Sequence, residues 1–381
     1  MYQSSQENKD IKPAIVVVAY DREKALDRLL TSLGNADYEG FIDVPLIISI
    51  DKSGNEAVGK LADSFSWKYG EKKVIKHPER LGLKKHILSL GDMTREFGSI
   101  IMLEDDLYVS AFFYHYAVAA LSKVRDREEV AGVSLYSHRF NVFARLPFEA
   151  VDDGYDNYYF RFPCSWGQAW TDGEWQDFRD WLLIHGDQDL HGDGMPQPAA
   201  DWGSSSWLKY ALKYVIEEKK TWFYPRISHT TNFFDEGEHS KEAVTDLQVP
   251  LSLGRNRDYC FSFPEQSGAR YDAYFENEGL PFQADLYGLK RRDGALKSGP
   301  FYSAEMLPFE IMKSFGLNLR PFDSNLLFRV PGDDLFLYDS SRVRKVKEKT
   351  GAKLERYFYP GMNRKKMMKL IGDRFFERYI K

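Results

Sequence analysis

The sequence predicts an α/β protein with a mostly parallel sheet covered by helices on both faces. Two observations support this fold class. From residue 13 to about 135, short apolar runs alternate with longer amphipathic segments. The apolar runs are nearly continuous, which is typical of strands buried on both faces of a sheet. In such sheets the carboxyl ends of the strands share one edge, and ligands bind there.

Each predicted strand is followed by a segment of helical periodicity. The helix that follows the fourth strand has Ser110 as its candidate N-cap. We expect strands at AIVVVAY, PLIISID, KKVIKH, SIIML and VAGVSLY, and helices at REKALDRLLTSLG, EAVGKLADSFSWKYG, LKKHILSLGDMTREFG and SAFFYHYAVAALSKV.

The rest of the chain is less regular. DGEWQDFRDWLLIHG and DWGSSSWLKYALKYVIEEKK predict two further helices, whereas RYDAYF, FQADLYGL, NLLFRV and DLFLYD predict short strands. We therefore expect a large α/β domain at 13–250, a small β-rich appendage at 251–340 and a basic helical tail at 341–381.

The composition of the chain argues against some classes of function. The net charge of −5 over 381 residues argues against a nucleic-acid binder, and two cysteines alone cannot form a disulfide framework or a four-ligand zinc site. No signal-peptide pattern is visible, and no apolar run approaches the roughly 20 residues of a membrane span. These features predict a cytoplasmic, reducing location.

The last 41 residues carry an opposite charge. Residues 341–381 contain 14 Lys and Arg against 4 Asp and Glu, a net of +10 (14 − 4), so the other residues carry −15 (−5 − 10). One interpretation is a solvated helix. The other is attraction to an anionic membrane surface, which would make the protein peripheral on the inner face of the plasma membrane.

Three carboxylates, Glu104, Asp105 and Asp106, directly follow the apolar run SIIML. A polar strand end before a helix is one explanation, since acidic residues are favoured there. Clustered carboxylates at a buried strand end repel one another unless a cation lies among them. Mg²⁺ and Mn²⁺ take oxygen ligands and commonly bridge carboxylates to substrate phosphates. The context therefore favours a metal site.

The first strand ends in a different polar pair. No GxxxxGK[ST] occurs, and no GxGxxG follows this strand, which disfavours a P-loop and a dinucleotide fold. Asp21 and Arg22 follow it instead. They either start a helix or contact a base, ribose or phosphate.

These motifs resemble those of a known family. VVVAYDR, IISID and IIMLEDDL resemble strand ends of nucleotide-sugar glycosyltransferases of the A fold, specifically the branch of N-acetylglucosaminyltransferase I and related bacterial polysaccharide transferases. SWGQAW, DWGSSSW and FYPRISHTTNF resemble later motifs of that branch, and the ordered set covers roughly residues 13–240. The resemblance implies the Rossmann-like glycosyltransferase A fold and a Mn²⁺ or Mg²⁺ cofactor.

The resemblance also implies roles for individual residues. A loop from Ser228 to His239 would close over the donor diphosphate, and one loose match places His86 near the uracil. Asp106 would bind the metal directly, with His239 as a second ligand. The implied donor-binding residues are Arg22 and Asp51 at the uridine, Glu104 and Asp105 at the sugar and ribose, and Ser228, His229, Thr230 and Thr231 at the diphosphate.

The catalytic base is less well determined. An inverting transferase needs a carboxylate that accepts the proton of the acceptor hydroxyl. The family has two adjacent acids between two tryptophans, whereas AADW has only Asp201. Asp201 is therefore the candidate base, with Asp172 and Glu174 as alternatives. Asp201 could instead only cap the following helix.

The expected function is a metal-dependent, inverting transfer of sugar from a UDP-sugar donor to a glycan or lipid-linked glycan acceptor, in bacterial surface polysaccharide synthesis. A sugar-phosphate nucleotidyltransferase is a second hypothesis, disfavoured because the loop YDREKA lacks the glycine that a triphosphate-binding loop uses. The third is a non-catalytic nucleotide-sugar or glycan-binding protein, which the incomplete acidic Trp motif keeps open.

Overall fold

A computed structural model describes residues 11–186, 188–233, 247–256, 258–343 and 357–358. The chain divides into two compact units. The first unit consists of Met1–Phe140 and Asp152–Phe275, and the second consists of Asn141–Val151 and Glu276–Lys381.

The strands and helices follow one another closely from residue 14 to residue 271. In chain order they are β1 (Ala14–Ala19), α1 (Glu23–Gly34), β2 (Leu46–Ile50), α2 (Glu56–Ser64), β3 (Lys72–Lys76), α3 (Leu83–Gly91), α4 (Thr94–Phe97), β4 (Ser99–Glu104), β5 (Leu107–Val109), α5 (Phe113–Val124), β6 (Val130–Ser134), β7 (Phe140–Asn141), β8 (Leu146–Pro147), β9 (Asn157–Phe160), β10 (Gln168–Thr171), α6 (Asp172–His185), α7 (Gln197–Ala200), α8 (Leu208–Glu217), β11 (Thr221–Pro225), β12 (Thr230–Asn232) and β13 (Arg270–Tyr271).

The first unit is built on a mixed sheet, which confirms the predicted α/β class. The strand order among the described residues is β13-β9-β11-β6-β10-β4-β1-β2-β3. Strands β4, β1, β2 and β3 are mutually parallel, and β10 runs antiparallel to both of its neighbours. In register, Val18 pairs with Glu104 and Ala19 with Ile50, so β1, β2 and β4 end level at one edge.

Both faces of this sheet are covered, as continuous apolar strands require. On one face, Ile15, Val17 and Leu103 pack with the apolar sides of α1, α2 and α5 in a single core cluster. On the other face, α3 packs on β1 and β4, and α6 packs on β6 and β10. Burying side chains on both faces fixes the strands, and so the edge where they end, within a closely packed core.

Several predicted helices are shorter than expected. Helix α2 ends at Ser64 because Trp67 and Tyr69 fold back onto the ring of Tyr38. The predicted helix 83–98 breaks into α3 and α4. The N-cap of α5 is Phe112 and not the predicted Ser110. The Ser110 hydroxyl lies 3.0 Å from Nδ1 of His229 instead.

Two later predictions are wrong. The segment 201–207 is not helical, and α8 begins only at Leu208. The predicted strand NLLFRV is a short helix, α10 (Ser324–Leu327). Local hydrogen bonds favour this helix. The Asn325 side chain accepts the N–H groups of Asn318 and Leu319 and donates to the carbonyl of Phe322.

The second unit is β-rich. It contains β14 (Gln283–Asp285), α9 (Leu289–Arg292), β15 (Pro300–Ser303), β16 (Phe309–Phe315), α10 and β17 (Leu335–Val343). Its sheet order is β14-β15-β17-β16, with its own apolar clusters. Most of the predicted basic tail lies outside the described residues. In the part of the chain that the structure describes, no helix is long and apolar enough to cross a bilayer.

Candidate active site

The edge where β1, β2 and β4 end contains a reversal of strand order. From β1 the chain proceeds to β2 and β3 on one side, then returns to place β4 on the other side of β1. In open parallel sheets, ligands bind at such a reversal, outside the carboxyl ends of the strands. Arg22 follows β1, and the carboxylates 104–106 end and follow β4. The topology therefore brings these predicted site residues together.

Arg22 joins the two buried aspartates. Its Nη1 donates to Oδ2 of Asp106 at 3.0 Å, and its Nη2 donates to Oδ1 of Asp105. The Asp105 and Asp106 residues are 3% and 8% exposed, whereas the Arg22 side chain is 25% exposed. One guanidinium thus spans two adjacent carboxylates at the sheet edge.

This cluster has more negative than positive charge. Burial raises the pKa of Glu104 well above its usual range, and repulsion from Asp106 and Asp105 adds to the shift. Burial also raises the pKa of Asp105, although Arg22 opposes this. Three carboxylates face one guanidinium, so an added cation would relieve the remaining repulsion.

One oxygen of the cluster is free to bind such a cation. Oδ1 of Asp106 is buried and has no hydrogen-bond partner among the described residues. A buried carboxylate oxygen without a partner is costly, and it is the ligand type that Mn²⁺ and Mg²⁺ take. The residue therefore fits the implied metal.

Asp106 would supply only one ligand. Among the described residues, no group of three or more His, Cys, Asp and Glu side chains is arranged to hold a metal ion. The predicted second ligand, His239, lies outside the described residues. Further ligands would have to come from the substrate or from the segment that contains His239.

Asp51, at the end of β2, holds a neighbouring turn. Its Oδ1 accepts the N–H groups of Lys52 and Leu81, both at 2.8 Å, and its Oδ2 accepts that of Gly82 at 2.9 Å. Burial raises its pKa, but these donors outweigh burial and lower the pKa of Asp51 below its ordinary value. Gly82 has φ +76°, which favours glycine. Asp51 therefore fixes the start of α3 beside the sheet edge.

His86 lies in α3, buried beneath this turn. Its Nε2 lies 2.8 Å from the Ser49 hydroxyl, which also lies 3.1 Å from Nε2 of His77. Burial lowers the pKa of His86 to about 4, so the ring is neutral at physiological pH. Its predicted contact with uracil stays a prediction.

The predicted closing loop begins differently from what we expected. Thr230–Asn232 forms β12, paired with β5, so this part of the predicted loop is a buried strand. The Ser228 hydroxyl donates to the carbonyl of Thr230 at 2.6 Å, and the Thr230 hydroxyl donates to that of Trp166 at 2.6 Å. Each hydroxyl has one proton. In this conformation neither has a proton left for a phosphate.

His229 is also committed to the protein. It is 4% exposed, and its ring stacks on Tyr116 with centroids 4.4 Å apart. Burial lowers the pKa of His229 to about 3, so it carries no charge that could attract a diphosphate. The Thr231 hydroxyl accepts the N–H of Val249, which leaves its own proton available to donate. The predicted phosphate contacts of His229 and Thr231 stay predictions.

Asp201 is exposed and belongs to a surface cluster. It lies at the C-terminal end of α7, so it does not cap α8. Its Oδ1 lies 3.0 Å from Nε2 of His191, whose Nδ1 lies 2.6 Å from Oδ1 of Asp189. Carboxylates only accept, so both bonds form together only when His191 is doubly protonated. These two partners raise the pKa of His191.

The segment that follows Asp201 reaches the turn held by Asp51. Nζ of Lys84, two residues after Gly82, lies 3.6 Å from the ring centroid of Tyr210. Nζ of Lys209 donates to the carbonyl of Trp202 at 2.8 Å. These contacts connect the residues next to Asp201 with the start of α3.

The alternative acids have structural roles. The Glu174 carboxylate accepts the backbone N–H of Thr171, and the Thr171 hydroxyl accepts that of Glu174, so the two form a capping box for α6. Asp172 accepts the Thr94 hydroxyl at 3.0 Å. Glu174 is 8% exposed, and burial raises its pKa to about 7.

The raised pKa of Glu174 should make the free energy of unfolding depend on pH, and Glu174→Gln should remove that dependence. The folded pKa of about 7 exceeds the ordinary 4.5, so the native state prefers the protonated acid. The stability of the natural protein relative to Glu174→Gln should therefore be highest below pH 4.5 and fall as pH rises through 7. A pKa shift of this size changes the free energy of unfolding by about 3 kcal/mol across this pH range. Urea unfolding of both proteins at pH 4.5, 6 and 8 measures it, and a constant difference would contradict it.

The bonds from the N–H groups at 81–82 to Asp51 were not predicted from the sequence. Gly82, immediately before a helical segment, was the one available signal, because a glycine there can adopt a positive φ.

Comparisons with known proteins give only distant similarity. No family model matches the sequence, and no curated protein matches it. Similar folds include GalNAc-T7 with UDP, GalNAc and Mn²⁺ (15% identity, TM-score 0.39, covering 57% of this chain and 43% of the other). A mannosyltransferase from Pyrobaculum calidifontis in complex with GDP-Man and Mn²⁺ has 13% identity and TM-score 0.29, covering 46% and 49%. S. aureus TarS 1–349 has 10% identity and TM-score 0.34, covering 57% and 59%.

In each comparison the match spans less than two thirds of the other chain. At these identities and TM-scores the comparisons assign neither a family nor an activity. The finer resemblance to N-acetylglucosaminyltransferase I stays a prediction.

Proposed function

We propose that the protein is a glycosyltransferase that takes its sugar from a nucleotide-sugar donor with the help of a divalent metal ion. The main observation that supports this proposal is the charged cluster at the edge where the strand order reverses. There Arg22 bridges Asp105 and Asp106, and the buried Oδ1 of Asp106 has no hydrogen-bond partner in the part of the chain that the structure describes. A site with excess carboxylate and one open oxygen is suited to a metal that binds a diphosphate.

Each described residue of the site has a proposed role that follows from its position. Asp106 would hold the metal, which when bound would stabilise the charge on the departing nucleoside diphosphate. Glu104 and Asp105 would face the sugar and ribose, and Arg22 with Asp51 would position the uridine. Asp51 also keeps the 81–84 turn in place through its backbone bonds.

Asp201 is the proposed base. As the acceptor hydroxyl attacks the anomeric carbon, its proton would pass to the Asp201 carboxylate, and the bond from that carbon to the diphosphate oxygen would break. Asp201 is exposed, as a group that meets a glycan must be, and its neighbours at 202–210 contact the start of α3.

The finer parts of the proposal rest on the resemblance and on charge. They are the UDP donor, the inverting outcome, a glycan or lipid-linked glycan acceptor and a role in surface polysaccharide synthesis. The net charge of +10 over residues 341–381 supports contact with an anionic membrane surface. Proton NMR of the anomeric configuration of the product tests inversion. Flotation with anionic and neutral vesicles tests the membrane contact.

A donor panel tests the proposal directly. A ligand that binds only the folded protein raises its melting temperature by mass action. With Mn²⁺ present, we expect one UDP-sugar to raise it more than UDP, and we expect UDP release from that donor with a glycan acceptor. Asp201→Asn should bind the same donor and release little UDP. A panel of UDP- and GDP-sugars without any shift would contradict the proposal, and undiminished release by Asp201→Asn would exclude Asp201 as the base.

A further inference from the structure

Arg22 is the cation of the carboxylate cluster in the part of the chain that the structure describes. Within the described residues, no other Lys or Arg pairs with Glu104, Asp105 or Asp106. Its two Nη atoms bind different carboxylates rather than both oxygens of one. The guanidinium therefore neutralises two adjacent residues at once, in a place where burial makes unpaired charge costly.

The same contact takes one oxygen of the proposed metal ligand. Arg22 occupies Oδ2 of Asp106 at 3.0 Å, while no described residue hydrogen-bonds Oδ1. A divalent ion at Oδ1 would lie close to a guanidinium already bound to the same carboxylate. Like charges at this separation repel, and the effect is stronger in a desolvated site.

We propose that Arg22 is an internal counter-cation that stabilises the metal-free site and competes with the divalent ion for Asp106. The inference rests on the metal site of the proposed function. It gives Arg22 a role beyond the donor contact. Arg22 stabilises the carboxylates before the metal arrives and sets the affinity of the site for the metal alone.

The test measures stability and metal binding without any nucleotide. Arg22→Met should melt at a lower temperature than the natural protein in EDTA, because three carboxylates then lack their cation. MnCl₂ alone should raise its melting temperature more than that of the natural protein. Calorimetry with MnCl₂ should give at least a fivefold lower Kd. Adding Asp105→Asn to Arg22→Met should restore part of the melting temperature in EDTA.

A matched control separates this role from the loss of any ion pair. Arg179, on α6, pairs with Asp92 at 2.9 Å and is 32% exposed, close to the exposure of Arg22. Arg179→Met should lower the melting temperature without changing the response to Mn²⁺. MgCl₂ and KCl at equal ionic strength separate a divalent site from general screening.

Two results with Arg22→Met would overturn the inference. One is a rise in its melting temperature with Mn²⁺ that is equal to or smaller than that of the natural protein. The other is a further fall in its melting temperature in EDTA when Asp105→Asn is added. If Arg22→Met is folded only with Mn²⁺ present, the inference is supported. If it does not fold in either condition, Arg22→Gln must show the larger Mn²⁺ shift, and an unchanged shift overturns the inference.

The two proposals can fail separately. Sugar transfer with Mn²⁺ by the natural protein, together with an unchanged Mn²⁺ affinity in the Arg22 variants, would overturn the inference alone. Sugar transfer at the same rate in EDTA would overturn the metal part of the proposed function. No Mn²⁺ response in any variant would overturn both the counter-cation role and the metal site.

Discussion

Asp106→Asn is expected to lower metal-dependent sugar transfer by about a thousandfold, because the metal would lose a carboxylate ligand and with it about 4 kcal/mol of transition-state stabilisation. Asn keeps the shape of Asp106 and an oxygen that can accept from Arg22. The substitution also removes one of three repelling carboxylates, so the metal-free protein should melt no lower than the natural one. The measurements are UDP release and melting temperature in EDTA and in Mn²⁺.

Asp177→Asn is the control for this prediction. Asp177 lies on α6, its side chain is 60% exposed, and it pairs with Lys220 at 3.2 Å. Its loss should leave both transfer and the response to Mn²⁺ unchanged. Transfer by Asp106→Asn at the natural rate would exclude Asp106 as a metal ligand. A lower melting temperature in EDTA would show that its charge stabilises the fold rather than straining it.

The sequence was sufficient to predict that three candidate residues lie at one edge of the sheet. Continuous apolar runs specify buried parallel strands, and buried parallel strands end at a common edge, so Arg22, Asp51 and Asp106 could be placed together from the pattern alone. The pattern could not show that Arg22 binds Asp105 and Asp106. Side-chain pairing depends on the register of β1 against β4, in which Val18 lies opposite Glu104.

The residues at 228–231 show what a sequence motif leaves out. SHTT reads as a run of phosphate donors, but hydroxyl groups bind whichever acceptor the fold places beside them. The fold supplies the carbonyls of Thr230 and Trp166 for Ser228 and Thr230, and Ser110 and Tyr116 for His229. Trp166, Ser110 and Tyr116 come from distant parts of the chain, so no local pattern could reveal these partners. Antiparallel β10, inserted between β4 and β6, was missed for the same reason.

The α3 helix, whose first residues form the turn that Asp51 holds, is fixed at its other end by close packing. A methyl group at Gly91 would lie 1.9 Å from Cζ2 of Trp175, much closer than any contact tolerates. Trp175 cannot easily move. It is fully buried, its Nε1 donates to Asp92 at 2.9 Å, and its ring packs edge-on to Trp170 with centroids 5.0 Å apart. Any accommodation must therefore disturb the contact between α3 and α6.

Gly91→Ala should consequently lower the free energy of unfolding by about 3 kcal/mol, although alanine favours helices, because overpacking a rigid core outweighs the propensity gain of up to about 1 kcal/mol. Gly173→Ala is the matched control, since Gly173 lies in α6, two residues before Trp175, and a methyl group there meets nothing within 4 Å. That variant should be as stable as the natural protein or slightly more so. Urea unfolding of the three proteins measures both effects. Equal stability of the two variants would mean that Trp175 shifts freely, and the start of α3 would then not depend on this contact.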